Sequence, residues 1–389
     1  MDKLLIIAFG YDGENSNNAN SICLEKIIKY VSKENDITLV TSSSDNFTSI
    51  LNDNSSIKVY KVPFNTRNNG KIDFNNWRRR VIREISNFDI SSFSKMLTIS
   101  FPFPTLKIGY DLKKRFSHIE WFVYELDPYA YNRILRYPRL LFFYRLLIER
   151  RIFGVSDKIF LTHELFNSYK NSLLSDYSHK FIDIGIPLLE VLNFKSEINE
   201  EGRDIQLTYI GSLYSKVRNS EYILKVFEDI KGIKINFYGA DPSQISDAQK
   251  NIFGDRLVVH GRIPKSEVRS VLNDSDVLLN IGNNTNNQLP SKVLEYIGTG
   301  KPIISIYNIE DDTSNLYLKK YPNSLLINQK DDLGKNKTIL KKYLLDINNN
   351  NIIIDSQKIE TIFGNDTIEA VARRVINSLN ISNYKEGWK

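Results

Sequence analysis

The stretch Val277–Ser305, VLLNIGNNTNNQLPSKVLEYIGTGKPIIS, carries three structural signals in a row. Val277–Asn280 is a short apolar run between polar residues and reads as a buried strand. After a polar loop, Pro290 suits the first turn of a helix and Ser291 is a candidate cap, with the helix covering Ser291–Gly298. Pro302–Ser305 is a second buried strand. Strand, helix, strand in this rhythm means a right-handed crossover within a parallel sheet.

The same alternation extends in both directions. Upstream strands are Gln206–Ile210, Ile233–Tyr238 and Leu257–His260, with helices Ser220–Ile230 and Pro264–Asn273 between them, and Ser324–Ile327 follows downstream. An earlier series has strands Leu4–Phe9, Thr38–Thr41, Lys58–Val62, Met96–Ile99, Trp121–Tyr124, Lys158–Leu161 and Phe181–Ile184. Its helical patterns include Asn20–Ser32, Leu106–Arg115 and Arg133–Phe153. The polar segment Lys195–Arg203 separates the two series and reads as a linker. Two α/β domains are therefore expected, 1–190 and 203–365, each a doubly wound parallel sheet with its own core. The Asn-rich patches Asn283–Asn287 and Asn348–Asn351 read as loops. Ligands of such folds bind at the carboxyl ends of the strands, so two sheets are expected to share a central cleft.

Composition fits this picture. The chain has 389 residues, enough for two domains, and its 21 Tyr, 21 Phe and 3 Trp can fill two cores. A single cysteine, Cys23, excludes an internal disulfide and a thiolate zinc site, and four His make a His/Cys metal centre a poor expectation. The net charge of +6 is mild for this length, so the placement of the cations matters more than their sum. The apolar run at the N-terminus is too short for a signal peptide, and no run reaches the roughly 18 residues of a membrane span. A cytoplasmic protein is expected, and the sequons at Asn46, Asn54 and Asn365 are incidental to an Asn-rich chain.

The chemistry should follow the strands. A helix start after Val277–Asn280 offers free N–H groups and a dipole to a phosphate, with Lys292 adding a cation and Glu295 one turn deeper on the same face. A carboxylate there can accept from a ribose diol. On spacing alone, an exposed Lys–Glu pair on a core helix accounts for the segment equally well. Gly211 ends another strand, where the missing side chain lets a ligand approach the backbone, and Lys216 and Arg218 precede the next helix.

The run Leu289–Ile304, LPSKVLEYIGTGKPII, resembles the donor-nucleotide segment of GT-B glycosyltransferases, in the large retaining group called glycosyltransferases group 1 (family 4). The resemblance implies two Rossmann-like domains facing a cleft, with a nucleotide sugar held by the second. By it, Glu295 binds the ribose, and Lys292, Ser291 and the helix amides meet the diphosphate. The loop after Gly211 is similar to the family loop whose Arg/Lys pair grips the diphosphate, with Arg218 the first choice and Lys216 the second. Many members place a second Glu eight residues before the ribose carboxylate, against the donor sugar. Asn287 stands there in this chain, with Gln288 beside it, which opens the identity of the sugar. The segment Leu257–Val268 resembles the turn whose backbone meets the nucleobase, so Arg262 is a candidate for base or phosphate, or a plain surface residue, and His260 a strand-end histidine.

In the first domain the likeness is thinner. Gly10 loosely resembles the family's glycine-rich loop near the diphosphate. At the end of Trp121–Tyr124, relatives carry an acidic or His-Asp element near the acceptor, so Asp127 and then Glu125 are candidates to orient or deprotonate an acceptor hydroxyl. Phe101 follows another strand and His163 a third, both candidates for the acceptor side. Asp274 and Asp276 have the letters of a metal-binding D-x-D but sit where a turn cap is expected. No cofactor or metal is expected, since fixed cations offset the departing charge. By analogy the final helix, within 366–389, packs back on the first domain.

The implied function is transfer of a sugar from a nucleotide diphosphate sugar to a saccharide or lipid-linked acceptor, with retention, in bacterial surface polysaccharide or glycolipid synthesis. A GT-B nucleotide-sugar epimerase and a bilobed binding protein are the rivals. A nucleic-acid partner is not expected. Arginines at 133, 136, 139, 145, 150 and 151 interleave with apolar residues, and the arginine-rich Trp77–Arg83 is a candidate contributor to the same basic surface. A long helix with one face in the core and its arginines outside is the preferred account of that pattern. Peripheral attachment to an anionic membrane is the second.

Overall fold

The computed structural model describes residues 2–12, 19–44, 49–54, 56–100, 102–135, 137–192, 194, 203–213, 218, 220–350 and 353–380. The chain forms two compact units, Met1–Pro187 with Ile368–Lys389, and Leu188–Thr367. Most of the expected linker falls outside the described residues. Leu192, before it, already belongs to the second unit, where its N–H donates to Gly298 O at 2.7 Å.

The first unit has strands β1 (Asp2–Ile7), β2 (Asn35–Ser43), β3 (Ser49–Asn54), β4 (Ile57–Pro63), β5 (Lys95–Ile99), β6 (Glu120–Glu125), β7 (Lys158–Leu161) and β8 (Phe181–Asp183). They form one sheet of order β3-β4-β2-β1-β5-β6-β7-β8, parallel throughout except for the pairing of β3 with β4. The sequence pattern shows seven of these strands and misses β3, an edge hairpin strand whose polar letters, SILNDN, lack an apolar run. Between the strands lie α1 (Ala19–Val31), α2 (Phe74–Ile85), α3 (Pro104–Arg115), α4 (Arg139–Val155) and α5 (His163–Lys170). Helix α4 starts later than the expected Arg133, after Pro138.

Strands such as LLII in β1 are apolar at every position because both sheet faces are covered. Leu5, Ile7, Trp121 and Val123 pack on one side with α2, α3 and α4, whereas Leu4, Ile6, Phe122 and Tyr124 pack on the other. Gly109 of α3 lets that helix close on the sheet, since a methyl there would strike the Trp121 ring.

The second unit has β9 (Ile205–Ile210), β10 (Ile233–Tyr238), β11 (Leu257–Gly261), β12 (Val277–Ile281), β13 (Ile303–Tyr307) and β14 (Ser324–Asn328). All pairings are parallel, in the order β11-β10-β9-β12-β13-β14. Its helices are α6 (Ser220–Phe227), α7 (Asp247–Phe253), α8 (Lys265–Asp274), α9 (Lys292–Gly298), α10 (Thr313–Leu318), α11 (Leu333–Asn350) and α12 (Ser356–Phe363). Asn348–Asn350 continue α11 rather than forming the expected loop. Buried Leu340, Leu344 and Ile347 drive the helix through the polar letters.

The last helix, α13 (Ile368–Asn380), returns to the first unit. Val371, Val375, Ile376 and Leu379 fill the second face of that sheet beside α1, and the Arg374 guanidinium donates to Ile184 O at 2.7 and 3.0 Å. Both sheets are doubly wound, as the alternation predicts. Each reverses its strand order once, between β1 and β5 and between β9 and β12, and these switch points are where such folds place ligands.

Candidate functional site

At the switch point of the second unit, the loops after β9 and β12 meet. The guanidinium of Arg218 donates through Nε to Asn283 Oδ1 at 2.7 Å, and Asn283 Nδ2 donates to Gln288 O at 2.8 Å. Thr313 Oγ1, at the start of α10, donates to the same carbonyl at 2.9 Å. Thr285 Oγ1 donates to Asn287 Oδ1 at 2.7 Å. Asn283, Thr285 and Asn287 are all buried. The loop Gly282–Gln288 is thus a network of neutral amides and hydroxyls that fixes one planar cation. Asp312 lies beneath it, buried, with Oδ1 accepting from Ser314 N–H at 2.9 Å. A Cβ at Gly282 would collide with the Asp312 carboxylate, so the backbone there needs glycine. Burial holds the Asp312 carboxyl above the usual carboxylate range, against the pull of its N–H donors.

Three neighbouring strands end in glycine. Gly211 N–H donates to Tyr238 O at 2.8 Å, and Gly239 N–H to Gly261 O at 2.5 Å. Gly239 and Gly261 have φ of 82° and 71°, the left-handed region, and a Cβ at Gly239 would lie 3.1 Å from Gly211 O. The result is a strip of backbone without side chains at the ends of β9, β10 and β11. Gly211 was expected here; Gly239 was missed, although Tyr-Gly at a strand end is the same signal as Ile-Gly in β9. Arg262 follows Gly261 on the exposed edge of the sheet, and the His260 ring stacks on Tyr238 at 4.1 Å.

Helix α9 is locked under the end of β9 by Tyr296. Its buried hydroxyl accepts from Ile210 N–H at 2.8 Å and donates to Ile210 O at 3.4 Å. Lys292 Nζ bonds Glu295 Oε2 at 2.7 Å across one helical turn, both side chains about one-third exposed or less. The two groups expected to take phosphate and ribose separately are therefore paired to each other. Ser291 does not cap the helix. Its backbone is already helical, with φ −56° and ψ −28°, so its hydroxyl is not aimed at the first-turn N–H groups. Lys216 lies outside the described residues.

Asp276 serves the fold: its carboxylate accepts from Arg203 at 2.8 Å and from Gln206 N–H at 2.7 Å. Among the described residues no group of three or more His, Cys, Asp or Glu is placed to hold a metal ion.

In the first unit the sequence reading needs a correction. Glu125 does not face solvent. Side chains alternate along β6, so residue 125 shares the face of Trp121 and Val123 and points under α4, fully buried beside Glu149. Burial, then the Glu149 charge, pushes the Glu125 carboxyl well above the usual range. Glu149 accepts from Tyr169 Oη at 3.1 Å and from the Ala130 and Tyr129 N–H groups at 3.2 and 3.4 Å. Glu149 thus pins the loop after β6 from below. Asp127, in that loop, is half-buried. Its neighbour Tyr129 stacks on Phe103 at 3.5 Å, and Arg145 lies over its ring at 4.3 Å.

His163 opens α5, and its Nδ1 is bonded to Asp183 Oδ1 at the end of β8. That bond orients the ring and leaves Nε2 about 3.0 Å from where a Cβ of Gly185 would stand. Gly10, with φ 74°, follows β1 and donates to Ser42 Oγ at 2.9 Å. Phe101 lies outside the described residues.

Residues 204–333 match the family described as Glycosyl transferases group 1. The matched stretch lies within the second unit. That match contains Arg218, the amide loop, Lys292 and Glu295. The whole chain is similar in structure to GT-B proteins. Against a sucrose-phosphate synthase from Thermosynechococcus elongatus the TM-score is 0.71 at 13% identity, covering 100% of both chains. Against the lipopolysaccharide outer core galactosyltransferase WaaB it is 0.59 at 10% identity, covering 98% of this chain and 99% of that one. Against Anabaena HepE, solved in complex with UDP and glucose, it is 0.64 at 9% identity, covering 98% and 100%. The fold is GT-B. No curated protein sequence matches the chain.

Proposed function

We propose that the protein is a glycosyltransferase that moves a sugar from a nucleotide diphosphate sugar to a hydroxyl of a saccharide or lipid-linked acceptor. The observation that carries this reading is the Arg218–Asn283 bridge at the switch point of a group 1 domain. It fixes a planar, forked cation at the switch point, where folds of this kind place ligands, an arrangement suited to a diphosphate.

In the reaction the bond between the anomeric carbon and the phosphate oxygen breaks, and the acceptor oxygen bonds to the anomeric carbon as its proton passes to Asp127. The nucleoside diphosphate leaves with added negative charge. Arg218, Lys216 and Lys292 offset that charge without a metal, and such electrostatic stabilisation is the largest contribution available to the site. Glu295 accepts from the ribose hydroxyls, with Lys292 holding its carboxylate in place. Asp127 orients the acceptor hydroxyl in the first unit. Glu125 has no part in proton transfer, because it is sealed from water. Retention of configuration and a role in bacterial surface polysaccharide or glycolipid synthesis at the cytoplasmic side extend the family resemblance.

A thermal-shift panel of UDP, GDP, ADP and CMP nucleotides tests the donor site. At least one nucleotide should stabilise the wild type at millimolar concentration, and Glu295→Ala and Arg218→Ala should lose the shift. If none stabilises the wild type, the donor reading fails.

A further inference from the structure

The outer side of α4 carries an apolar stripe that the fold does not use. Leu140, Phe143, Tyr144 and Leu147 recur at the spacing of one helix face and are 84%, 41%, 58% and 58% exposed. The inner side, with Leu146, Ile152 and Phe153, is buried and already anchors the helix. Packing therefore explains only one of the two faces. Twelve large apolar side chains are exposed among the described residues, and six of them lie between 135 and 147. Such a concentration marks a surface that meets something apolar.

Charge says what that is. The only acid of α4, Glu149, is buried, so its exposed side carries no negative charge. Arg145 and Arg150 are spent on the fold, the first over Tyr129 and Tyr137, the second on Asp176 at 2.7 Å. Arg139 and Arg151 remain exposed at the two ends of the stripe, and Arg139 sits over the Phe143 ring at 5.8 Å. Arg133 is exposed just before the helix. The α2 arginines add no comparable surface, because Trp77, Val81 and Ile85 are buried and Arg78 is paired with Asp111.

We propose that this face of α4 docks on an anionic lipid bilayer. The helix lies in the interface plane, with Leu140, Phe143 and Leu147 at the acyl boundary and Arg139 and Arg151 on lipid phosphates. This surface is independent of the reaction assigned to the group 1 domain.

Flotation of the full chain with vesicles tests it. At low salt the protein should rise with mixed phosphatidylcholine–phosphatidylglycerol vesicles and far less with phosphatidylcholine alone. The triple variant Leu140→Ser, Phe143→Ser, Leu147→Ser and the double variant Arg139→Glu, Arg151→Glu should each cut binding by about ten-fold or more. Both should keep the wild-type melting temperature, since the altered side chains are exposed. Absence of wild-type binding at low salt overturns the proposal, as does wild-type binding by both folded variants. So does a self-association that the triple variant abolishes while no vesicle binding occurs.

Discussion

At the carboxyl end of β12 the polar groups are neutral amides and hydroxyls tied to a guanidinium, whereas at the carboxyl end of β6 they are carboxyl groups withdrawn from water. Both loops are fixed by hydrogen bonds to their own backbone. The first arrangement holds a cation at a switch point, where folds of this kind place ligands. In the second, Glu149 is spent on holding the loop. A carboxylate at a strand end is thus poor evidence of chemistry until its side of the strand is known.

The largest test of this contrast is Glu149→Ala. It strands the Tyr169 hydroxyl and two backbone N–H groups in the core, so a loss of about 3 kcal/mol in urea unfolding is expected. An unchanged midpoint would mean that Glu149 does not pin the loop. Arg218→Ala should leave unfolding nearly unchanged but weaken nucleotide binding by about 10- to 100-fold, the range of a charge-assisted contact. Calorimetric titration with the nucleotide selected by the panel measures it. Asn283→Ala frees Arg218 without removing it, so a smaller loss, about five-fold, is expected in the same titration. An Asn283→Ala effect as large as that of Arg218→Ala would give Asn283 a direct contact with the ligand.

The strand–loop–helix unit around β12 and α9 was legible in the sequence because its signals are local. A strand, a polar loop, Pro290 and a helix lie within thirty residues, and the resemblance runs along that same stretch. The bridging role of Asn283 was hidden, because its partner Arg218 is 65 positions away and only the crossover between β9 and β12 joins them. Glu149 and Asp183 were missed for a related reason: one lies inside an arginine-rich helix and the other on a short edge strand. The Glu125 reading failed on periodicity. Trp121-Phe122-Val123-Tyr124 is apolar at every position, so the letters alone do not say which side residue 125 takes. Ser291 is not the cap because a helix that starts through Pro290 already winds at the following residue.

The finest test uses pH. The folded state holds the Glu125 proton more tightly than the unfolded chain, where a glutamate ionises near about 4.3. Stability from this group is therefore complete below that value and declines as pH rises toward the folded pKa, where the unfolded state releases its proton first. Glu125→Gln keeps the shape, stays neutral at all pH values and retains an N–H group facing Glu149. The variant should match the wild type near pH 4.5 and gain on it steadily toward pH 8, by a few degrees in melting temperature. A gap that stays constant across that range would mean Glu125 is ionised in the folded protein. The end of β6 would then carry a charge after all, and the contrast with β12 would lose its physical basis.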